Sequence, residues 1–404
     1  MISNYIILLK SDWRFFTFSV SGVLFSAPGQ TFLISLAIPM ICSSLNIQPL
    51  TFATIYSTAT LSASIFLPLI GRFIDQWPVK RTIYFNAIIF SLSIMLFSMT
   101  HSTILLFTAL FFMRLFGQGA LTLTASSITI KEFTKNRGSA LSITQLGYPL
   151  SEFIFPGILL SLIHLGGWRM AFFILSTIIL FAYLPLSVYG APKGQRVKPK
   201  EVASTDSKSL SYALKDVFFP FYIALSSIPP IMMTGALYFQ VDIFKLNEWP
   251  LSYIAVAIFC YALFKFLNTI FIGPIIDRFG VVFPLFLLTA AIGIATIMIS
   301  FNGPPLIGFI YYALYGVGLG ASASTMSYLW GLLYGSDHIG EIKGAIAIIR
   351  NGATAIAPIG FSYIIYSVGM PLDTIFYYCG IGILLMSLLP FIFARIDDRL
   401  NATS

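Results

Sequence analysis

Four ionisable side chains stand inside long apolar runs of this 404-residue chain: Arg114, Glu152, Lys265 and Arg350. A charge at bilayer depth costs at least about 2.5–3.5 kcal/mol, so one kept there is a candidate for handling a solute or a proton. Arg114 and Glu152 sit well inside two successive runs. At the rise of an α-helix both come near mid-depth, where an ion pair between them is expected. Protonation of such a carboxyl is balanced between burial and the nearby cation, so substrate or conformation can tip it. Two readings stand side by side, a static structural pair and a proton-coupling pair. Gln118, one turn after Arg114, shares its face and joins helices or touches substrate. Lys265 and Arg350 either line a cavity or extend their stems toward the surface.

A second polar cluster lies in the first apolar run, at Ser26-Ala27-Pro28-Gly29-Gln30-Thr31. Pro28 removes a backbone hydrogen bond and Gly29 loosens the turn, so a break is expected there. Broken backbone at that depth is tolerated only against protein or a wet cavity. Gln30 and Thr31 are therefore substrate-contact candidates, with plain helix packing as the alternative. In the tenth run, one of Tyr311, Tyr312 and Tyr315 is a candidate cavity residue, and Gly316, Gly318 and Gly320 read as close helix packing.

The elements that position these residues follow from composition. The chain is 57% hydrophobic and 9% charged, with a mean hydropathy of +0.89. Soluble domains carry about a quarter charged residues. Apolar runs of about 20 residues match the hydrocarbon thickness, and their lack of alternation excludes a β-barrel. We read twelve spans: 15–40, 51–70, 82–99, 104–128, 140–163 and 168–189, then 217–241, 251–272, 282–300, 306–330, 345–367 and 374–394. The expected fold class is an all-α membrane protein of two six-helix bundles, 1–190 and 217–404, joined by a linker at 191–216. The first run is too long for a cleaved signal and reads as a retained span.

Charge sets the orientation. Eighteen Lys and Arg fall on the face holding both termini and the linker, and only Arg169 and Lys245 on the other. That asymmetry puts both termini in the cytoplasm. It also accounts for the net charge of +8 without nucleic acid. The linker, with Lys193, Arg196, Lys198 and Lys200, is a solvated connector, with anionic lipid contact as the alternative. Cys42, Cys260 and Cys379 are scattered and give no disulfide framework or metal spacing. The three histidines fall in loops or at span ends, no span carries a metal cluster or nucleophile triad, and no phosphate-binding loop is present. A membrane-embedded enzyme, a cofactor and ATP-driven transport by this chain alone are not expected.

The chain repeats with a period of half its length. Gly71 and Gly273, Asp75 and Asp277, and Pro28 and Pro230 are each 202 residues apart. The first polar connection reads Gly71-Arg72-Phe73-Ile74-Asp75-Gln76-Trp77-Pro78-Val79-Lys80-Arg81, the second Gly273-Pro274-Ile275-Ile276-Asp277-Arg278-Phe279-Gly280. Duplicated halves of this kind are common in secondary transporters.

These residues resemble the major facilitator superfamily, whose signature between its second and third helices is G-x-x-x-D-[R/K]-x-G-x-[R/K]-[R/K]. Gly71, Asp75, Lys80 and Arg81 match it, while Gln76 and Pro78 depart from it. Gly273, Asp277, Arg278 and Gly280 match in the second copy, which lacks the terminal basic pair. Arg114-Leu115-Phe116-Gly117-Gln118-Gly119 and Gly167-Trp168-Arg169 are similar to that family's fourth and sixth helices. The resemblance implies a twelve-helix secondary transporter, a monomer in the bacterial inner membrane, working by alternating access. It further implies that the two motif copies latch the cytoplasmic side shut. In this reading Gly71 allows close helix approach, and Asp75 pairs with loop cations near a helix end.

The expected function is proton-coupled uptake of a small organic anion, similar to the monocarboxylate-type branch, because cations outnumber acids among the four buried charges. The alternative is proton-driven efflux of drugs or metabolites. The exporter pattern G-x-x-x-G-P-x-x-G-G is only fragmentary at Gly147-Tyr148-Pro149 and Pro156-Gly157.

Overall fold

A computed structural model describes residues 8–10, 12–133, 137–192, 210–301, 303–334 and 339–394, all helical or in short connections. The chain divides into two compact units, residues 1–201 and 202–404. Most of the linker lies outside the described residues. Among those described, nine helices are long and apolar enough to cross a membrane, or ten counting a bent pair in the first run. One of the nine, Ile143–Gly190, is two helices joined at Gly166 and Gly167, and Val282–Met298 is a shorter apolar helix. Twelve spans are consistent with this set.

In the first unit α1 spans Trp13–Gly29 and Thr31–Leu45, bent by 41°. Two short 3₁₀ turns, Ala27–Gly29 and Ser35–Ala37, interrupt it, so the break expected at Pro28-Gly29 is present. The helix α2 (Pro49–Gln76) runs on past Gly71, and α3 (Val79–Ser98) begins three residues after α2 ends. The expected eleven-residue polar loop is thus mostly helix, with only Trp77 and Pro78 between the two. Proline disfavours helical backbone in the residue before it, and Trp77 is extended with ψ 154°.

The fourth helix, α4 (residues 103–132), is capped by Ser102, whose hydroxyl accepts from Leu105 N at 3.3 Å. Its middle, Met113–Leu121, is π-helical. Next, α5 (residues 137–165) and α6 (residues 168–190) meet at Gly167, whose φ of +77° suits glycine. Immediately after this turn, Arg169 donates through Nη1 to Ser98 O at 3.1 Å and Thr100 O at 2.6 Å. It thereby satisfies carbonyls left open where α3 ends. A buried hydroxyl chain, Thr129 to Thr144 and Thr144 to Ser19, each 3.0 Å, ties α4, α5 and α1 together.

In the second unit α7 (Phe219–Tyr238) passes through Pro229 and Pro230 as one helix, and a short helix, Gln240–Leu246, follows a break at Phe239. The remaining helices are α8 (Tyr253–Phe279), α9 (Val282–Met298), α10 (Pro305–Tyr334), α11 (Ile339–Tyr366) and α12 (Leu372–Ser387). The glycine run of α10 works as expected. A Cβ at Gly316 would lie 2.9 Å from Lys265 N, and one at Gly320 would lie 3.1 Å from Lys265 Cα, while Gly318 presses against Ile292 of α9. Without side chains at these points, the α8 and α10 backbones come into direct contact. Phe219, Tyr222, Trp330, Tyr334 and Leu285 form an aromatic-rich core within this unit.

Candidate functional site

The break in α1 leaves backbone carbonyls without helical partners, and these must be satisfied inside the unit. Gln30 is extended at ψ 150°, which takes the chain off the helical path. The carbonyl of Gly29 is met by Arg114 Nη1 at 2.8 Å. This contact requires two backbones to touch. A Cβ at Gly29 would lie 2.5 Å from Met113 O, 2.9 Å from Gln118 N and 3.0 Å from Gly117 Cα. The π-helical segment of α4 therefore receives the elbow of α1, with glycine on both sides of the contact. π-helical backbone is rare, and where it occurs inside an α-helix it is frequently at a functional site.

Arg114 is only 5% exposed. Its Nε donates to Thr60 Oγ1 at 3.1 Å, and Nη1 reaches Thr31 Oγ1 at a long 3.5 Å. The Tyr56 ring lies 5.0 Å from the guanidinium carbon, and the Tyr56 hydroxyl donates to Thr31 Oγ1 at 2.8 Å. The Thr60 hydroxyl in turn donates to Tyr56 O at 2.8 Å. A closed circuit results, carried by α1, α2 and α4. Every acceptor Arg114 uses among the described residues is neutral, and Nη2 makes no hydrogen bond to a described residue.

The structure thus brings Thr31 and Arg114 together, with Gln30 beside them. Gln30 Nε2 folds back across the break to Ser26 Oγ at 3.1 Å. Gln118 lies on the same π segment, half-buried. Glu152 is buried on α5 at 6% exposure, in a helix that packs on α1 through Gly147. The expected ion pair is not part of this circuit: Arg114 turns to hydroxyls and a carbonyl, because the broken helix offers an acceptor needing a donor.

Tyr56 and Thr60 were not legible from sequence. They stand one turn apart on α2, but Thr54, Ser57, Thr58 and Ser64 share that stretch, and nothing in spacing singles out the pair.

In the second unit Lys265 Nζ donates to Tyr261 Oη at 3.0 Å and lies 5.0 Å from that ring. Its stem therefore points toward the start of α8, opposite to the direction expected of a chain extending to the inner surface. Arg350 is half-buried near the start of the apolar stretch Ile348–Tyr366. Tyr311, Tyr312 and Tyr315 are all buried. Tyr312 donates to Gln240 Oε1 at 3.3 Å, and the Tyr315 hydroxyl lies 2.8 Å from Thr296 Oγ1.

The motif residues give a mixed picture. Among the described residues, a Cβ at Gly71 would meet only Leu123 Cδ2, at 4.0 Å. Lys80 and Arg81 begin α3, and the Arg81 guanidinium carbon lies 4.4 Å from the Trp77 ring centroid, which stacks on Phe73 at 4.7 Å. Arg278 lies over Phe279 at 5.2 Å. Gly280 ends α8 at φ +67°, which favours glycine. The side chains of Asp75 and Asp277 and the surroundings of Gly273 lie outside the described residues.

A duplicated set of apolar helices, with a buried cation at a helix break, has the makeup of a membrane carrier. A family model described as Major Facilitator Superfamily matches residues 20–358, and the chain belongs to that superfamily. It is a multi-pass membrane transporter rather than an enzyme. Its fold is similar to that of the nucleoside transporter NupG, with a TM-score of 0.72 and 13% identity over 95% of this chain and 99% of that one. It is similar also to the peptide transporter POT, with a TM-score of 0.74 and 14% identity over 97% and 96%. No curated protein matches the sequence.

Proposed function

We propose that this secondary transporter takes up a small organic anion together with a proton, by alternating access, into the cytoplasm across a bacterial inner membrane. The carrying observation is Arg114: a buried guanidinium held by neutral groups, with Nη2 making no hydrogen bond to a described residue. A buried charge is stabilised best by an opposite charge, and guanidinium matches carboxylate in geometry and charge. A carboxylate substrate supplies what the circuit lacks. Glu152, buried in the same unit, is the proton carrier in this reading. The orientation rests on the eighteen-to-two division of Lys and Arg, and the protein acts as a monomer without cofactor or metal.

The test is uptake of radiolabelled monocarboxylates into proteoliposomes under an imposed pH gradient. Accumulation is expected with the wild type, is lost in Arg114→Ala, and no longer responds to the gradient in Glu152→Gln. Gradient-driven uptake unchanged in the glutamine variant removes the coupling role. Extrusion of lipophilic cations without carboxylate uptake overturns the anion reading and favours efflux.

A further inference from the structure

The duplication provides an internal control on the Arg114 circuit. At the period of 202 residues, Arg114 corresponds to Gly316, Tyr56 to Ile258, Thr60 to Ala262 and Thr31 to Met233. The helices keep this register: α4 covers residues 103–132, and α10 runs from Pro305 to Tyr334, both ends offset by 202. All four positions in the second unit are apolar or glycine, and Ile258, Ala262 and Met233 are buried there. The same frame therefore packs without any of the four polar groups. A purely architectural need for Tyr56 would be expected at Ile258 as well.

The geometry around Tyr56 gives it a specific task. Its ring covers one face of the guanidinium, and its hydroxyl fixes Thr31, which lies beside Nη1. Thr60, one turn further along α2, holds Nε and hydrogen-bonds the Tyr56 carbonyl. Face, Nε edge and Nη1 are thus all occupied, and the Nη2 end is the part of the cation left to present. Tyr56 itself is 1% exposed, so its hydroxyl is committed inside the unit.

We propose that Tyr56 is a positioning residue for anion recognition: it fixes the orientation in which Arg114 offers Nη2 to a carboxylate. This rests on the anion reading given above. Preorganising a binding group removes the ordering cost from the binding step, so losing one hydrogen bond of the circuit weakens binding without emptying the site.

Purified protein is titrated with lactate and with its uncharged amide, lactamide, following ligand-induced thermal stabilisation in wild type and Tyr56→Phe. The phenylalanine variant keeps the ring and loses only the hydroxyl. Its lactate affinity is expected to fall about three- to tenfold, the scale of one hydrogen bond, and to fall more than its lactamide affinity. Tyr56→Leu, which also removes the aromatic face, is expected to fall further. If the wild type does not prefer lactate to lactamide, the anion reading fails and this inference with it. If the wild type discriminates and Tyr56→Phe binds lactate equally well, only the positioning role is overturned. A parallel loss for acid and amide, with a lower unfolding temperature, overturns it in favour of packing.

Discussion

Replacing Gly29 by alanine tests the contact on which the candidate site stands. The added Cβ would sit 2.5 Å from Met113 O, with Gln118 N and Gly117 Cα within 3.0 Å. All three are backbone atoms of the π segment, so no side chain can swing aside. Restoring ordinary contact requires the α1 elbow to withdraw by about 0.9 Å, a displacement on the scale that forces backbone shifts in packed interiors. A shift of that size away from α4 takes the 2.8 Å bond from Arg114 to the Gly29 carbonyl beyond hydrogen-bonding range. Overpacking costs about 1–3 kcal/mol and loss of a hydrogen bond to a charged group about 1.5–3 kcal/mol, giving roughly 2.5–6 kcal/mol together. The control is Gly71→Ala, where the nearest atom is Leu123 Cδ2 at 4.0 Å. Alanine within a helix gains about 0.5–1 kcal/mol over glycine, so this variant is expected to be neutral or slightly stabilised. The assay is reversible denaturant unfolding of each purified variant in detergent. Equal stability of the two variants would refute the close-contact argument.

Two further outcomes concern the second unit. Gly320→Ala places a methyl against the Lys265 backbone of α8, with Lys265 Cα 3.1 Å away, so a loss of about 1–3 kcal/mol is expected in the same unfolding assay. Gly382→Ala, with no atom of a described residue within 4 Å, serves as its control. Asp242 lies on the short helix after α7, where burial raises its carboxyl pKa and Lys245 only partly offsets this. Because the folded value exceeds the unfolded value of about 3.9, its contribution to stability is full below that pH and is lost as pH rises through the folded pKa. Asp242→Asn is therefore expected to flatten the fall in unfolding temperature from acid toward neutral pH. An identical pH profile in both proteins would count against it.

Much of the frame was legible because a bilayer imposes simple rules on sequence. Long apolar runs, basic connections and a 202-residue period sufficed for the helical class and the superfamily. The Pro28-Gly29 break was legible for a local reason, since proline removes a donor and glycine loosens the adjoining turn. The choice among partners was concealed. Arg114 pointed to Glu152 by depth and by the succession of their helices, yet its Nη1 meets the Gly29 carbonyl at the break. Tyr56 and Thr60 stayed hidden because serine and threonine are tolerated throughout α2, where hydroxyls bond back to their own helix, as Thr54, Thr58 and Ser64 do. At Gly71 the family pattern suggested close approach, and the described atom facing it is Leu123 Cδ2, at 4.0 Å from an added Cβ.

The same proline has different consequences in the two units, and its neighbours explain why. Pro28 is followed by Gly29, and Arg114 stands across from it to take the released carbonyl. Pro230 is followed by Ile231, a β-branched residue, and the position matching Arg114 is Gly316, which has no donor to offer. Opening α7 there would leave a carbonyl without the guanidinium that Arg114 supplies in the first unit, and an unmet buried carbonyl costs roughly 1–3 kcal/mol. The helix instead continues through Pro229-Pro230 and breaks at Phe239, next to Gln240, whose side chain accepts from Tyr312. The break at Pro28 therefore combines two things, a residue that permits it and a polar partner beside it. Supplying only one is expected to fail: Ile231→Gly in the second unit should leave α7 continuous and, compared with Ile231→Ala, lower stability by about 0.5–1 kcal/mol, the cost of glycine relative to alanine within a helix. An opened α7 in the structure of that variant would show that glycine alone suffices.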